Sequence, residues 1–371
     1  MVHNTFVSNI SPEAYPMVGG DGPHSYAKNS IYQEAIVNGS KGMIAAGIRK
    51  TLDLKSLRLD TSSTFKIADL GCSTGPNTFI AMQNIIEAIE LIKYQDDCEC
   101  EHDNPSGLEF QVFFNDHSNN DFNTLFKSVP LSKKYFATGV PGSFHGRLFP
   151  ESSLHVAHTS NALPWLSKIP KEITNSNSPA WNRGHILCSG FEKEVAEAYS
   201  AQFKNDIESF LNARAQELVP GGLLLLLTPT IRDGIPMFST PEGTNFDYLG
   251  SCLYDLANMG LIAEEKVDSF NVPMYYPFLG ELMGHIKRNK NFSIEIMNTF
   301  THPLVHMVYS AEFWASLSRA AFGGLVGQHF GYQFVDRIFN YYSTKLAENM
   351  SSICDGKTQD KIELFVLLRR N

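Results

Sequence analysis

A glycine-rich turn between a predicted strand and a predicted helix constrains this chain more than any other feature. Residues 65–77 read FKIADLGCSTGPN: an apolar run ends in Asp69, and the turn leads into a helical pattern near Asn77. Glycine lets a ligand approach the backbone, and the start of a helix offers unpaired N–H groups. The turn ends in no Gly-Lys-Ser/Thr and is not GxGxxG, so a P-loop is excluded and a dinucleotide site is not favoured.

The acidic residue at the end of this strand indicates the charge of the ligand. Asp69 suits a ligand that carries positive charge, such as the amino group and sulfonium of S-adenosylmethionine (SAM). An ordinary α/β turn with no ligand is the alternative that these residues leave open.

The charge and composition of the chain exclude several classes of protein. The net charge is −9, with 39 acidic and 30 basic side chains, whereas a nucleic-acid partner would need a basic face. The run 223–227 is far too short to span a membrane. The first residues lack the basic start and apolar stretch of a signal peptide, and six scattered cysteines do not form a disulfide scaffold. We therefore expect a cytoplasmic protein without a nucleic-acid or membrane partner.

Strands that alternate with helices predict an α/β fold with a doubly wound, mostly parallel sheet. The predicted strands are 65–70, 109–115, 135–140, 153–158 and 223–228, and the predicted helices are 30–54, 78–94, 121–128 and 193–217. A polar loop is expected at 95–107.

The alternation stops after residue 229, where the chain becomes aromatic-rich and mostly helical. We expect an α/β core at 31–231, completed by 355–371, an inserted helical cap at 232–354 and an N-terminal arm or lid at 1–30. The tail 361–369 (KIELFVLLR) is strand-like and needs a sheet to pair with, which favours an insertion over a separate domain after residue 229.

Ligands of open α/β sheets bind at the carboxyl ends of the strands, so polar residues at these ends are candidates for a site. Asp116, after the second strand, is placed to accept hydrogen bonds from ribose hydroxyls, and Ser143 and Phe144 to bracket an adenine ring. The oxygen-rich segment 268–271 could bind a hard cation, although a loop turn is the better reading of these residues alone.

Two further clusters only superficially suggest a metal site. Cys98, Cys100 and His102 lie in an acidic stretch and lack a second pair of ligands at zinc spacing. His302 and His306 lie four residues apart without the glutamate of HExxH, so we expect structural roles for them.

Ordered motifs over nearly the whole chain resemble the SABATH small-molecule methyltransferases of plants. They are GGxxxxSYAKNSxxQ at 19–33, IADLGCSTGPN at 67–77, FxNDHxxNDFN at 113–123, GVPGSFHGRLFP at 139–150, HTSNALPWLSKIP at 158–170, RAQELVPGG at 214–222 and EEKVDSFNVPMYYP at 264–277. The resemblance implies a Rossmann-like class I methyltransferase fold, SAM as methyl donor, a small carboxylic acid as acceptor, a methyl ester and S-adenosylhomocysteine (SAH) as products, and a homodimer.

The resemblance also assigns roles to individual residues. Those implied to contact SAM are Tyr26, Asp69, Cys72, Asn77, Asp116, His117, Ser143 and Phe144. Gln33 and Trp165 are implied to position the acceptor carboxylate. Those implied to line the acceptor pocket, besides Gln33, Trp165 and Tyr26, are Thr159, Asn161, Phe246, Tyr275, Ser318 and Ala321. Asn182, Asp268, Asn271 and the Phe270 carbonyl match a Mg²⁺ site described in some members.

The departures from the family pattern concern the acceptor. Asn161 replaces a common Tyr and Pro164 a common Met or His, so salicylate is not the first expectation. An N-methyltransferase of purine-like acceptors is the alternative within enzymes, and retained Gln33 favours the acid. A donor-binding sensor without catalysis is the alternative of another class.

Overall fold

The structure, a computed structural model, describes residues 15–57, 64–100, 108–188, 192–305, 307, 310–354 and 361–371. Its strands are β1 (Thr64–Leu70), β2 (Glu109–Asp116), β3 (Phe136–Pro141), β4 (Leu154–Ser160), β5 (Leu218–Ile231), β6 (Phe292–Phe300) and β7 (Lys361–Arg370). Its α-helices are α1 (Ile31–Thr51), α2 (Pro76–Cys100), α3 (Phe122–Lys127), α4 (Lys193–Glu217), α5 (Pro241–Asn258), α6 (Glu264–Ser269), α7 (Leu279–Arg288), α8 (Ala311–Phe330) and α9 (Val335–Cys354).

The seven described strands form one sheet in the order β3-β2-β1-β4-β5-β7-β6. The first five are parallel, and β7 runs antiparallel to both β5 and β6. The chain moves outward from β1 to β3 and then returns to place β4 on the other side of β1. This reversal opens a crevice at the carboxyl ends of β1 and β4, which is the usual ligand position in such sheets.

Burial of the sheet on both faces explains the leucine run of the longest strand. Leu223–Leu227 of β5 are at most 1% exposed and contact core clusters on alternate sides. One cluster contains apolar residues of α1 and α2, and the other contains residues of α4 and α7. A strand covered on both faces reads as continuous hydrophobic sequence, so the prediction of a buried parallel strand here is confirmed.

A third hydrophobic cluster lies beyond the carboxyl ends of the strands. It joins α5, α6, α8 and α9, which we call the cap helices, and includes Phe246, Phe322 and Tyr342. Val18 of the N-terminal segment donates from its backbone N–H to the Ala320 carbonyl at 2.9 Å, so this segment packs across α8.

The segment 232–354 is mostly helical, as predicted, but its residues 292–300 form β6 at the edge of the sheet, a strand that the sequence did not indicate. One sequence prediction of secondary structure was wrong. Residues 95–100 continue helix α2 instead of forming a loop, and 101–107 lie outside the described residues. The strand predicted at the C-terminus is confirmed, since β7 pairs with β5 from Leu223 to Ile231. The other predicted domain boundaries stay predictions.

Within the described ranges, no helix combines the length and the apolar character that crossing a membrane requires.

Candidate active site

The turn after β1 depends on glycine for two separate reasons. Gly71 has a φ of 81°, in the left-handed region, and a Cβ there would lie 2.4 Å from the Ala162 Cβ. The N–H groups of Gly71 and Cys72 both donate to the Asn115 carbonyl at 2.9 Å. The turn is therefore fixed against the end of β2 and leaves its outer edge open to a ligand.

A carboxylate at the end of β2 lies against this turn. Asp116 accepts hydrogen bonds from the backbone N–H groups of Ser73 and His117, each at 2.7 Å. Burial raises the pKa of Asp116, the hydrogen bonds and His117 lower it in part, and the nearby Asp69 carboxylate raises it further. A positively charged or hydrogen-bond-donating ligand would therefore stabilise the ionised form of the Asp116 carboxylate.

Asp69 adds a second carboxylate to the cleft, and this one is buried. Its Oδ1 lies 2.7 Å from His158 Nδ1, and its Oδ2 accepts from the Thr78 hydroxyl. Burial, with Asp116 and Asp69 as further causes, raises the pKa of the Tyr26 hydroxyl and of the Cys72 thiol. Both groups therefore stay protonated, and Cys72 is not a thiolate nucleophile.

A small cavity of about 30 Å³ lies behind the turn. The described residues give no hydrogen-bond partner to four buried side-chain atoms around it: Gln33 Oε1, Ser73 Oγ, Asn77 Oδ1 and His158 Nε2. Asp69 lines it too, so hydrogen-bond acceptors dominate this cavity.

A larger main pocket extends from the turn to the cap helices. Gln33, Tyr26, Gly71, Ser73, Ser160 and Asn161 line both the main pocket and the small cavity, so the two spaces adjoin. Aromatic side chains form much of the wall; they are Tyr26, Tyr32, Phe144, Trp165, Phe246, Tyr276, Trp314 and Phe322. Of the residues that the structure describes, no lysine or arginine lines this pocket.

The polar groups of the main pocket are therefore neutral donors and acidic side chains. Asn245 donates to the Ser318 hydroxyl at 3.2 Å, and Glu242 lies one helical turn before Asn245 on α5. Such a pocket orients an anionic group by neutral hydrogen bonds without an ion pair.

Comparison with known proteins identifies the type of site. Residues 12–371 match the family model described as SAM dependent carboxyl methyltransferase. This chain belongs to the SAM-dependent carboxyl methyltransferase family.

Individual members of this methyltransferase family are similar over nearly their whole length. A solved structure, "Loganic acid methyltransferase with SAH", has a TM-score of 0.88 and 42% sequence identity, and the match covers 96% of this chain and 99% of that one. The loganic acid O-methyltransferase of Catharanthus roseus is 44% identical over 96% of this chain and 95% of the relative. The farnesoic acid carboxyl-O-methyltransferase of Arabidopsis thaliana is 44% identical over 96% of this chain and 99% of the relative. The SABATH resemblance is confirmed, and the protein is an enzyme that uses SAM to methylate a carboxylate.

The methyltransferase brings most of its predicted site residues together. Those that line the main pocket are Tyr26, Gln33, Asp116, His117, Phe144, Asn161, Trp165, Phe246, Ser318 and Ala321, while Asp69, Cys72 and Asn77 line the small cavity. The carboxylates of Asp69 and Asp116 and the acceptor-lined cavity fit a cationic donor such as SAM. The role of each residue towards a ligand stays a prediction.

Three predicted residues line neither space. Thr159 is fully buried on the face of β4 opposite His158 and Ser160, which do line the small cavity. Tyr275 donates to Glu281 Oε2 at 2.9 Å and borders another cavity. Ser143 accepts from the His145 N–H at 3.4 Å and does not line the main pocket.

The sequence reasoning missed several residues that the methyltransferase places in the main pocket. Trp314 and Leu317 precede Ser318 and Ala321 on one face of α8, and Glu242 and Asn245 share a face of α5 with Phe246. Spacings of three and four residues from the predicted positions are the signal that could have found them.

The structure does not support the predicted magnesium site, because its ligands already bond to other protein groups. Asn182 Nδ2 donates to Asn271 Oδ1 at 2.6 Å, so protein already satisfies that oxygen. Asp268 Oδ1 accepts from the Tyr254 hydroxyl at 2.5 Å. In the described part of the chain, no group of three His, Cys, Asp or Glu side chains is placed to hold a metal.

The two discounted metal clusters are tested only in part. His302 stacks on Tyr32 with ring centroids 3.6 Å apart, and its Nε2 lies 3.0 Å from the Tyr32 carbonyl, which is a structural role. His306 and His102 lie outside the described residues.

Proposed function

We propose that this methyltransferase esterifies a small plant carboxylic acid whose carboxylate is held by Gln33 and Trp165. The observation that carries the proposal is the position of Gln33. It lines both the acceptor-rich small cavity and the aromatic main pocket, at the boundary where donor and acceptor would meet. Gln33 lies in the first turn of α1, so its backbone is fixed by the helix.

The chemistry of esterification asks for little acid–base catalysis. A carboxylic acid has a reference pKa of about 4 and is already ionised at neutral pH. SAM supplies an electrophilic methyl group on a sulfonium. The protein has to align the two groups and keep water away.

Neutral hydrogen-bond donors suit this task. The Gln33 amide and the Trp165 indole N–H would orient one carboxylate oxygen and leave the other free to attack. An arginine clamp would stabilise the ground state of the nucleophile. The described lining of the main pocket contains no such cation, and its aromatic walls exclude water.

The test is a methylation assay with isotope-labelled SAM, a panel of plant acids and detection of products by mass spectrometry. The panel includes loganate-like, farnesoate-like, benzoate-like and jasmonate-like acids, with xanthines as the competing acceptors. We expect labelled methyl ester and SAH in equal amounts from at least one acid. Transfer to xanthine nitrogens alone would reject the proposal.

A carboxylate in the main pocket favours N-methylation as the second candidate function. Glu242 places a carboxylate in the main pocket, where it could accept an N–H of a purine-like ring. The Glu242→Gln variant separates the candidates, because removal of this charge should weaken a purine acceptor and favour an anionic one.

The quaternary state and location are further parts of the proposal. We expect a homodimer, which sedimentation velocity tests, and a cytoplasmic enzyme. Two described cysteines, Cys72 and Cys252, are buried and free, as suits a reducing compartment. Magnesium is not part of the proposal because of the hydrogen bonds of Asn271 and Asp268.

A further inference from the structure

His158 is a buried histidine that the fold binds at only one of its two nitrogens. It lies on β4 directly opposite Asp69 of β1, and its side chain is 2% exposed. Nδ1 lies 2.7 Å from Asp69 Oδ1. Among the described residues Nε2 has no hydrogen-bond partner, and the residue lines the small cavity.

The contact with Asp69 determines which nitrogen carries the proton. A carboxylate oxygen only accepts, so the hydrogen atom of a neutral His158 lies on Nδ1. Nε2 is then a bare lone pair. Thr78 donates to the other oxygen of Asp69, so the carboxylate is fixed from both sides and still has lone pairs available for a ligand.

Two other side chains at the small cavity also present a buried acceptor oxygen. Asn77 Nδ2 donates to the Ser30 carbonyl at 3.1 Å, which leaves its Oδ1 as the end without a described partner. Gln33 Oε1 is likewise buried without one. Three hydrogen-bond acceptors and one carboxylate therefore surround a cavity of about 30 Å³. A primary ammonium group matches this arrangement, because it is a small cation with several N–H donors.

We propose that His158 belongs to the methyl-donor site as a neutral acceptor, whose Nε2 binds the α-ammonium group of the methionyl part of SAM, directly or through one water. A protonated His158 would direct an N–H at the ammonium and repel it. In the neutral imidazole, the Asp69 hydrogen bond therefore does two things: it holds the carboxylate in place, and it fixes the tautomer in which Nε2 is the acceptor. The inference rests on SAM as donor and is independent of which acid is methylated.

The test measures binding of two ligands that differ only in the amino-acid part. SAH carries the α-ammonium group, whereas 5′-methylthioadenosine has the same adenosine and sulfur without it. In His158→Asn, the amide Nδ2 can still donate to Asp69 from about the place of Nδ1, but nothing replaces Nε2. His155→Asn is the matched control, since His155 is 3% exposed on the same strand and lines neither the main pocket nor the small cavity.

Isothermal titration of the full-length chain should show SAH affinity about 10- to 100-fold weaker in His158→Asn, from the loss of one hydrogen bond to a charged group. Affinity for 5′-methylthioadenosine should change less than about threefold, and His155→Asn should leave the ratio of the two affinities unchanged. Equal loss for both ligands, or no loss for SAH, would overturn the proposal.

A second measurement uses the native protein, so it does not depend on whether a variant folds. The ¹⁵N spectrum of the native protein should show a pyrrole-type Nδ1 and a pyridine-type Nε2 for His158, with Nε2 moving on addition of SAH but not of 5′-methylthioadenosine. A protonated Nε2, or the same movement with both ligands, would contradict the assignment. If no acid is esterified, this binding result still stands or fails by itself.

Discussion

Replacement of Gln33 by glutamate tests the positioning role of this residue with almost no change of shape. The variant substitutes a carboxylate oxygen for the amide nitrogen at the boundary of the main pocket and the small cavity. It removes a neutral donor from the acceptor carboxylate and adds a like charge. The same charge faces the cavity predicted to hold the donor's ammonium group, where it attracts the ligand.

The expected size of the effect follows from these two changes. A hydrogen bond to a charged group contributes about 1.5–3 kcal/mol, which is about 10- to 150-fold in rate. Two like charges at roughly 4 Å with an effective dielectric constant of about 20 repel by about 4 kcal/mol. We therefore expect Gln33→Ala to lower kcat/KM for the acid by about 10- to 150-fold, and Gln33→Glu by at least about 1,000-fold.

The assay measures methyl ester formation and SAH affinity on the same preparations. SAH affinity should fall less than kcat/KM in Gln33→Ala, because Gln33 Oε1 is only one of several acceptors around the small cavity, and it should not fall in Gln33→Glu. Gln328→Glu makes the same change of charge at an exposed position of α8 and should behave like the native enzyme. If Gln33→Glu lost SAH binding and ester formation in parallel, the reasoning would be refuted. Gln33 would then bind the methyl donor or stabilise the fold and would not position the acceptor carboxylate.

Three further changes test other parts of the site. Trp165→Phe keeps a ring in the aromatic wall but removes the indole N–H, so we expect kcat/KM to fall about tenfold with SAH affinity unchanged; calorimetry and the ester assay check this. Gly71→Ala forces a Cβ to within 2.4 Å of the Ala162 Cβ at a φ of 81°, whereas Gly234→Ala has a similar φ of 84° and nothing within 4 Å. Chemical denaturation should show a loss of about 1 kcal/mol for Gly234→Ala and at least about twice that for Gly71→Ala, which should also lose SAH binding. The pKa of Asp116 is raised in the free enzyme, and hydrogen bonds from the ribose hydroxyls of SAH favour its ionised form, so SAH binding should release a proton and weaken as pH falls through that pKa; titrations in two buffers of different ionisation enthalpy would show no proton release, or proton uptake, if this is wrong.

Local sequence determines much of the core around the donor cleft. The pattern of apolar run, Asp69 and glycine turn predicted β1 and its ligand-facing end, and the leucine run predicted a buried parallel strand. These features could be predicted because each depends on neighbours close in sequence: a left-handed turn needs glycine, and a strand covered on both faces is apolar throughout.

Features that depend on distant packing could not be predicted in this way. β6 lies partly exposed at the sheet edge, and its partner strand β7 follows roughly 70 residues later. Its first five residues alternate between apolar and polar, but the alternation stops at Met297, and only distant pairing shows that this short segment extends the sheet. Thr159 and Tyr275 lie one residue from positions that line the site, and which neighbour faces the pocket depends on strand register and on the hydrogen bond to Glu281. One side of the main pocket is built from α5 and α8, and no local pattern specifies how these cap helices pack.

A crystal structure with SAH and an acid that the enzyme esterifies tests the central claim most directly. The account predicts SAH at the Gly71–Thr74 turn, with its ribose at Asp116 and its amino group at Asp69. It predicts the acid's carboxylate beside Gln33 and Trp165, with one oxygen about 3–3.5 Å from the position of the transferred methyl group. SAH bound elsewhere, or a carboxylate held at the Asn245 and Ser318 end of the main pocket, would contradict it.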